Sequence, residues 1–228
     1  FRYPDRSVNE LLGLGFPVSL LLGGCAMGVA VCMGGAAGLL AGVRRNSFVD
    51  YLAMSLALFG VSVPNFVLGP LLMLLFALGL GWLPVAGWGT WRHVILPAFT
   101  LGTFYAAYVA RLTRAGVLEV IDQDFIRTAR AKGQREATVI LRHAVPSAVL
   151  PVVSYLGPAS AAVLTGSVVV ETVFAVPGIG RYFVTSALNR DYTMVLGTVL
   201  SYSVLLLSFN LAVDILYAYL DPRVQVDR

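Results

Sequence analysis

Apolar residues run along this chain in long stretches without a charge: 11–43, 51–91, 94–110, 144–170 and 192–213. A helix needs roughly 20 apolar residues to cross a bilayer core about 30 Å thick. The runs predict five such spans, over 16–43, 51–80, 94–112, 146–170 and 192–220. A transmembrane barrel would need short strands of strict apolar and polar alternation, which this pattern lacks. The prediction is an all-α membrane protein with about five transmembrane helices. Within 51–91, Trp82, Pro84, Gly87, Trp88 and Gly89 suit an interfacial loop, because Trp favours the headgroup level. Pro64 marks a kink in the second span. Gly34, Gly38 and Gly42 recur every four residues, as do Gly24 and Gly28. Such small faces let helices approach closely, either inside one subunit or against a partner subunit.

Composition supports the class. Hydrophobic residues are 58% of the chain and charged residues 12%, about half the share usual in soluble domains. Eleven Lys and Arg fall at one face: Arg44, Arg45, Arg111, Arg114, Arg127, Arg130, Lys132, Arg135, Arg142, Arg223 and Arg228. Five fall at the other: Arg2, Arg6, Arg92, Arg181 and Arg190. The positive-inside rule puts the first group and the C-terminus in the cytoplasm. Five spans then put Phe1 outside. The start, FRYPDRSVNELL, lacks the basic and apolar order of a signal peptide, so a further N-terminal span is expected ahead of it. The expected organisation is an outer segment 1–15, a membrane domain 16–220 with a cytoplasmic region 122–145 and an outer loop 171–191, and a cytoplasmic tail 221–228. Cys25 and Cys32 read as small apolar residues of the first span. No basic face is free for nucleic acid.

The region after Asp122 is an island of polarity in this apolar chain. Asp122 and Asp124 suit an N-cap and a first helical turn. Phe125, Ile126 and Ala129 make one face, and Arg127, Arg130 and Lys132 crowd the helix end. Gly133 suits the C′ position, which often needs positive φ. A short helix over 124–132, a glycine break and a second helix over 135–143 are predicted, with Pro146 in the first turn of the next span. A lipid-headgroup loop and a docking surface are both open at this point.

Catalytic signatures are missing. The single lysine, Lys132, is followed by Gly133, so no Walker A loop is present. There is no HExxH and no metal set; His93 and His143 lie in loops on opposite faces. Any uphill transport must take its energy from elsewhere. Glu171 ends the fourth span, where a helix cap and an outer gate are both open roles. Asp214 lies inside the fifth, and intramembrane acids carry a functional expectation. Asp214 follows Asn210 by four residues, so the two share a face; pairing with Arg111 or Arg114 is expected over ion coupling. Pro177, Gly178 and Gly180 force a turn, and 181–189 then reads as a short interfacial helix. It is either a simple connection or a re-entrant element at the outer mouth.

The island resembles the coupling-helix motif of ABC-importer permeases. In that family an E-A-A triplet is followed after three residues by Gly, with Pro thirteen beyond. Ala129, Gly133 and Pro146 match the last Ala, the Gly and the Pro, whereas Arg127 and Thr128 replace Glu and the first Ala. His143 and Val145 replace the usual Ile and Leu. FIRTARAKG is similar to the variant in the peptide/nickel branch. ARLTRAGVLEV, LRHAVPSAVLPVVSYLGP, ETVFAVPGIGRYFVTSALNRDY and LAVDILYAYLDPRV resemble further blocks of that branch, most of all its oligopeptide permease B-type subunits. The resemblance implies half of a peptide pathway in a bacterial cytoplasmic membrane. It implies a second homologous permease, two cytoplasmic ATPases that bind ATP and Mg, and an extracytoplasmic peptide-binding protein as partners. This chain would bind no cofactor and catalyse nothing. The resemblance assigns ATPase seating to Phe125, Ile126, Ala129 and Gly133, with polar contacts from Arg127 and Arg130. A dipeptide, glutathione or nickel permease is the alternative within the branch; an autonomous channel, a proton-coupled carrier and a membrane enzyme are the alternatives outside it.

Overall fold

The computed structural model describes residues 6–220; residues 1–5 and 221–228, and the side chains of 164–166, 213, 214 and 216–220, lie outside the described residues. Every regular element among the described residues is helical. α1 spans Val8–Val43, starting ahead of the expected 16–43. Ser7 explains the early start: its Oγ accepts the Glu10 N–H at 3.2 Å and its carbonyl accepts the Leu11 N–H. Ser7 and Glu10 have the spacing of a capping box. At 1.5 Å per residue its 36 residues reach about 54 Å, more than a bilayer core requires. α2 spans Phe48–Ser62, α3 Asn65–Leu72 with a π-helical continuation Met73–Gly79, and α4 Trp91–Val120. α5 spans Asp124–Ala131, α6 Glu136–Thr138 and α7 Val145–Ala148, with a π-helical turn Val139–Ala144 between the last two. α8 spans Leu150–Val173, α9 Ile179–Leu188 and α10 Tyr192–Leu220.

By length and composition, three helices can cross a membrane: Val8–Val43, Arg92–Val120 and Tyr192–Ala212. Two broken pairs, Phe48–Ser62 with Asn65–Gly79 and Glu136–Ala148 with Leu150–Val163, raise the number to five if each pair is one span. That agrees with the five apolar runs. The breaks have chemical causes. Pro64 is not a kink within one helix but the N-cap of α3, in extended conformation (φ −60°, ψ 144°). Its carbonyl accepts the Val67 and Leu68 N–H groups.

The second break corrects the expected role of Pro146. The next span does not open there: Pro146 lies in α7, and the chain bends by 52° at Val149. Pro146 has no N–H to return to Arg142, and its ring crowds that carbonyl. The preceding turn widens instead, and the Val145 N–H reaches back five residues to the Ile140 carbonyl. Pro151 then takes the first turn of α8, where a missing N–H costs nothing.

The chain groups into two compact units. One takes residues 6–29, Val63–Thr103 and Pro158–Ala212. Leu22, Leu101, Val163, Val170, Phe174, Ile179 and Met194 fill its core. Here a Cβ on Gly102 would sit 2.5 Å from the Ala26 carbonyl, so glycine sets how closely α4 approaches α1. Loop 80–90, the expected interfacial loop, is tied down where the Gly87 N–H meets the Phe174 carbonyl at 2.8 Å.

The other unit takes Ala30–Ser62, Phe104–Gly157 and residues 213–220. Gly34, Gly38 and Gly42 of α1 lie against Ala106, Val109, Ala110, Thr113 and Val117 of α4. The four-residue glycine repeat is thus used inside the subunit. Gly24 and Gly28, in the first unit, have open space where a side chain would stand. Arg114 is bound through two nitrogens to the buried Asp50, at 2.7 and 2.8 Å.

Candidate functional site

α5 is amphipathic in a strict sense: one face is built into the fold and the other is offered to solvent. Ile126 (0% exposed) and Ala129 (6%) join Val120, Val139 and Ala144 in one apolar cluster. Phe125 is 43% exposed, and Arg127, Thr128, Ala131 and Lys132 are exposed beside it. Gln123, in extended conformation, precedes the helix as N-cap, and Asp124 occupies the first turn. Asp122 does not cap it; its carboxylate pairs with Arg45 at 2.7 Å.

The helix ends as the glycine predicted. Gly133 adopts φ +73°. The Gly133 N–H bonds to the Arg130 carbonyl and the Gln134 N–H to the Ala129 carbonyl, the paired bonds of a Schellman motif. Arg130 fastens α5 to α6 through two bonds to Glu136, at 2.7 and 3.2 Å. That carboxylate raises the Arg130 pKa further above its ordinary value. The side chains of His143 and Gln134 meet at 2.9 Å across the same turn.

The six residues singled out on this helix therefore divide. Ile126 and Ala129 are committed to the chain's own core, Arg130 to Glu136, and Gly133 to the turn. Phe125 and Arg127 remain presented, since the contact of Arg127 with Asp124 is long, at 3.6 Å, and open to water.

A second constellation surrounds Glu171, which is fully buried. Its Oε1 accepts the hydroxyls of Ser19 and Ser167, both at 2.7 Å, and its Oε2 accepts the Gly180 N–H at 2.8 Å. Ser19 Oγ in turn accepts the Ile179 N–H at 2.9 Å. Ser19 and Glu171 thus cap the first turn of α9 in place of its own N-cap residue, Gly178, which has no side chain to offer. Of the two open roles for Glu171, the geometry contains the cap.

Gly178 and Gly180 serve close approach here. A Cβ on Gly178 would fall on the Glu171 carboxyl and Ser19 Oγ, and one on Gly180 would lie 2.6 Å from Val168 Cα. Pro177 is exposed in the turn between α8 and α9, and the helix 181–189 is realised as Ile179–Leu188.

Other expected residues stand apart. Pro146 is exposed on α7, and Asn210 is half-buried on α10. The side chain of Asp214 lies outside the described residues. Arg114, one of its expected partners, is held by Asp50. Sequence reasoning missed Ser19 and Asp50, which lie 152 and 64 positions from the groups they bind. A partial signal existed for Glu171: a buried carboxylate needs donors, and Ser167 lies one turn before it.

Comparison with known proteins gives this arrangement a context. Residues 34–226 match the family model described as binding-protein-dependent transport system inner membrane component. The chain belongs to that family. The permease is 48% identical to the oligopeptide transport system permease protein OppB of Haemophilus influenzae, over 99% of this chain and 74% of that one. It is 46% identical to the dipeptide transport system permease protein DppB of Bacillus subtilis, covering 99% and 73%. It is 44% identical to the glutathione transport system permease protein GsiC of Pectobacterium atrosepticum, covering 96% and 72%. Among solved structures, the inward-facing MetNI methionine ABC transporter shares the permease's fold with a TM-score of 0.76 at 17% identity, covering 93% and 97% of the two chains. An amino acid ABC transporter does so with a TM-score of 0.70 at 20% identity, covering 92% and 94%.

Proposed function

We propose that the permease forms half of the membrane pathway of an ATP-driven oligopeptide importer. A second, homologous permease supplies the other half. Two ATPase subunits, which bind ATP and Mg, dock from the cytoplasm on the exposed face of α5, and an extracytoplasmic binding protein delivers the peptide. The chain itself binds no cofactor and catalyses nothing; closure of the ATPases drives its alternating access through differential contacts in two states.

One observation carries the reading: α5 is locked from behind by Ile126, Ala129 and the Arg130–Glu136 bonds while Phe125 and Arg127 face outward. A helix fixed this way transmits a push to the fold instead of yielding to it. The charge asymmetry of the sequence supports a cytoplasmic α5, and the oligopeptide relatives support the substrate. The dipeptide and glutathione relatives, at 46% and 44% identity, keep those cargoes as the second reading.

Co-purification tests the class. Expressed with its genomic neighbours, the tagged permease is expected to bring down a second permease and an ABC ATPase. A stable lone subunit that transports peptide without ATP would replace this reading by a channel or a proton-coupled carrier.

A further inference from the structure

α4 carries two arginines one turn apart, and they are used differently. Arg114 is saturated by Asp50. Arg111 is exposed and makes no ion pair with a described residue. Its guanidinium lies over the Tyr108 ring, 4.7 Å from the centroid. Tyr108 stacks on Tyr155 of α8 at 5.7 Å, with 21° between the planes, and meets Phe104 at 5.4 Å. Phe104, Tyr108 and Arg111 follow the i, i+4, i+7 spacing of one helix face.

A guanidinium stacked on a ring keeps its N–H edge free for a planar anion. A charged group within the bilayer core faces the bundle interior or a water-filled space, and one at the end of a span reaches headgroups or a water-filled space. Twenty residues separate Trp91 from Arg111, about 30 Å of helix, which is the thickness of the bilayer core. Trp91 and Arg111 therefore mark opposite boundaries, with Arg111 on the side of α5.

We propose that Arg111, with Tyr108 and Tyr155, forms a carboxylate-binding station at the inner end of the permease's pathway, taking the C-terminal carboxylate of the peptide while the stacked rings receive its planar and apolar parts. The station rests on the peptide-import reading. Its chemistry, a cation offered to anionic oxygens, has a second source in lipid phosphate, and the test separates the two.

The assembled transporter is placed in phosphatidylcholine vesicles. Uptake is measured for a peptide with a free C-terminus and for a matched amidated peptide that the wild-type complex also imports. Arg111→Gln is expected to reduce uptake of the free peptide by about tenfold and to change that of the amidated peptide less than twofold. Arg111→Lys restores part of the difference. Retained uptake of the amidated peptide shows that each variant is folded. Equal losses for both peptides, or none, overturn the station. A deficit that appears only when phosphatidylglycerol is included, equally for both peptides, assigns Arg111 to a lipid headgroup and also overturns it. Failure of the wild-type complex to import either peptide with ATP present sinks the import reading itself.

Discussion

Helix ends in this permease use the same backbone device with different residues. Gly133 closes α5 at φ +73°, and Ala175 closes α8 at φ +53°, where the Val176 N–H returns to the Glu171 carbonyl. A left-handed conformation costs an L-residue about 1–2 kcal/mol and glycine almost nothing. Gly133→Ala is therefore expected to destabilise by about 1 kcal/mol, with Gly133→Asn milder, and Ala175→Gly to stabilise by a similar amount. Thermal unfolding of the detergent-solubilised complex checks the opposite signs. Glu171 makes a different claim at this scale. Glu171→Leu leaves the Ser19 hydroxyl proton and the Gly180 N–H without their carboxylate acceptor in a buried place, at about 1–3 kcal/mol for each group left unsatisfied. Glu171→Gln keeps one acceptor oxygen but turns an amide toward a donor, so an intermediate loss of melting temperature is expected. A leucine variant as stable as wild type would remove the capping role.

At the scale of elements, helix faces decide which substitutions matter. Gly38 of α1 has the Ala110 carbonyl and Thr113 where a side chain would go, whereas Gly28 has nothing within 4 Å. Gly38→Val should lower the yield and melting temperature of the isolated permease, and Gly28→Val should leave both unchanged. If Gly28→Val nevertheless blocks co-purification with the second permease, that face is the one covered by the partner. α5 allows the same comparison across one helix. Ile126→Asp places an uncompensated charge among Val120, Val139 and Ala144, and loss of the folded subunit is expected. Phe125→Ala removes only an exposed side chain. It should leave the stability within about 0.5 kcal/mol of wild type, as for most surface changes, while lowering ATP hydrolysis stimulated by the binding protein and peptide. Full stimulation in the Phe125→Ala, Arg127→Ala double variant would move the docking surface elsewhere.

For the whole molecule, the missing nucleotide motif becomes a measurable dependence. Proteoliposomes holding the permease alone should not concentrate peptide with ATP supplied, and those holding the assembled transporter should. The charge-free runs were enough to read the candidate spans, three unbroken helices and two broken pairs, because burying unpaired charge in lipid is so costly that composition reports it directly. The short helix ending at Gly133 was legible for a similar reason, since left-handed backbone has few tenants. Other features belong to the folded chain alone. Pro146 was read as the start of a span, but the π turn before it and Pro151 after it moved the break to Val149. Ile126 and Ala129 shared an apolar face with Phe125 in sequence, yet only packing on Val139 and Ala144 separated the inward side chains from the outward one. Ser19 met Glu171, and Asp50 met Arg114, through approaches set by helix packing over separations of 152 and 64 residues. Hydrophobic length, charge placement and special backbone angles are properties of a residue and its neighbours in the chain, so they can be read along it. Which donor finds which acceptor depends on distances that exist only after the helices have packed.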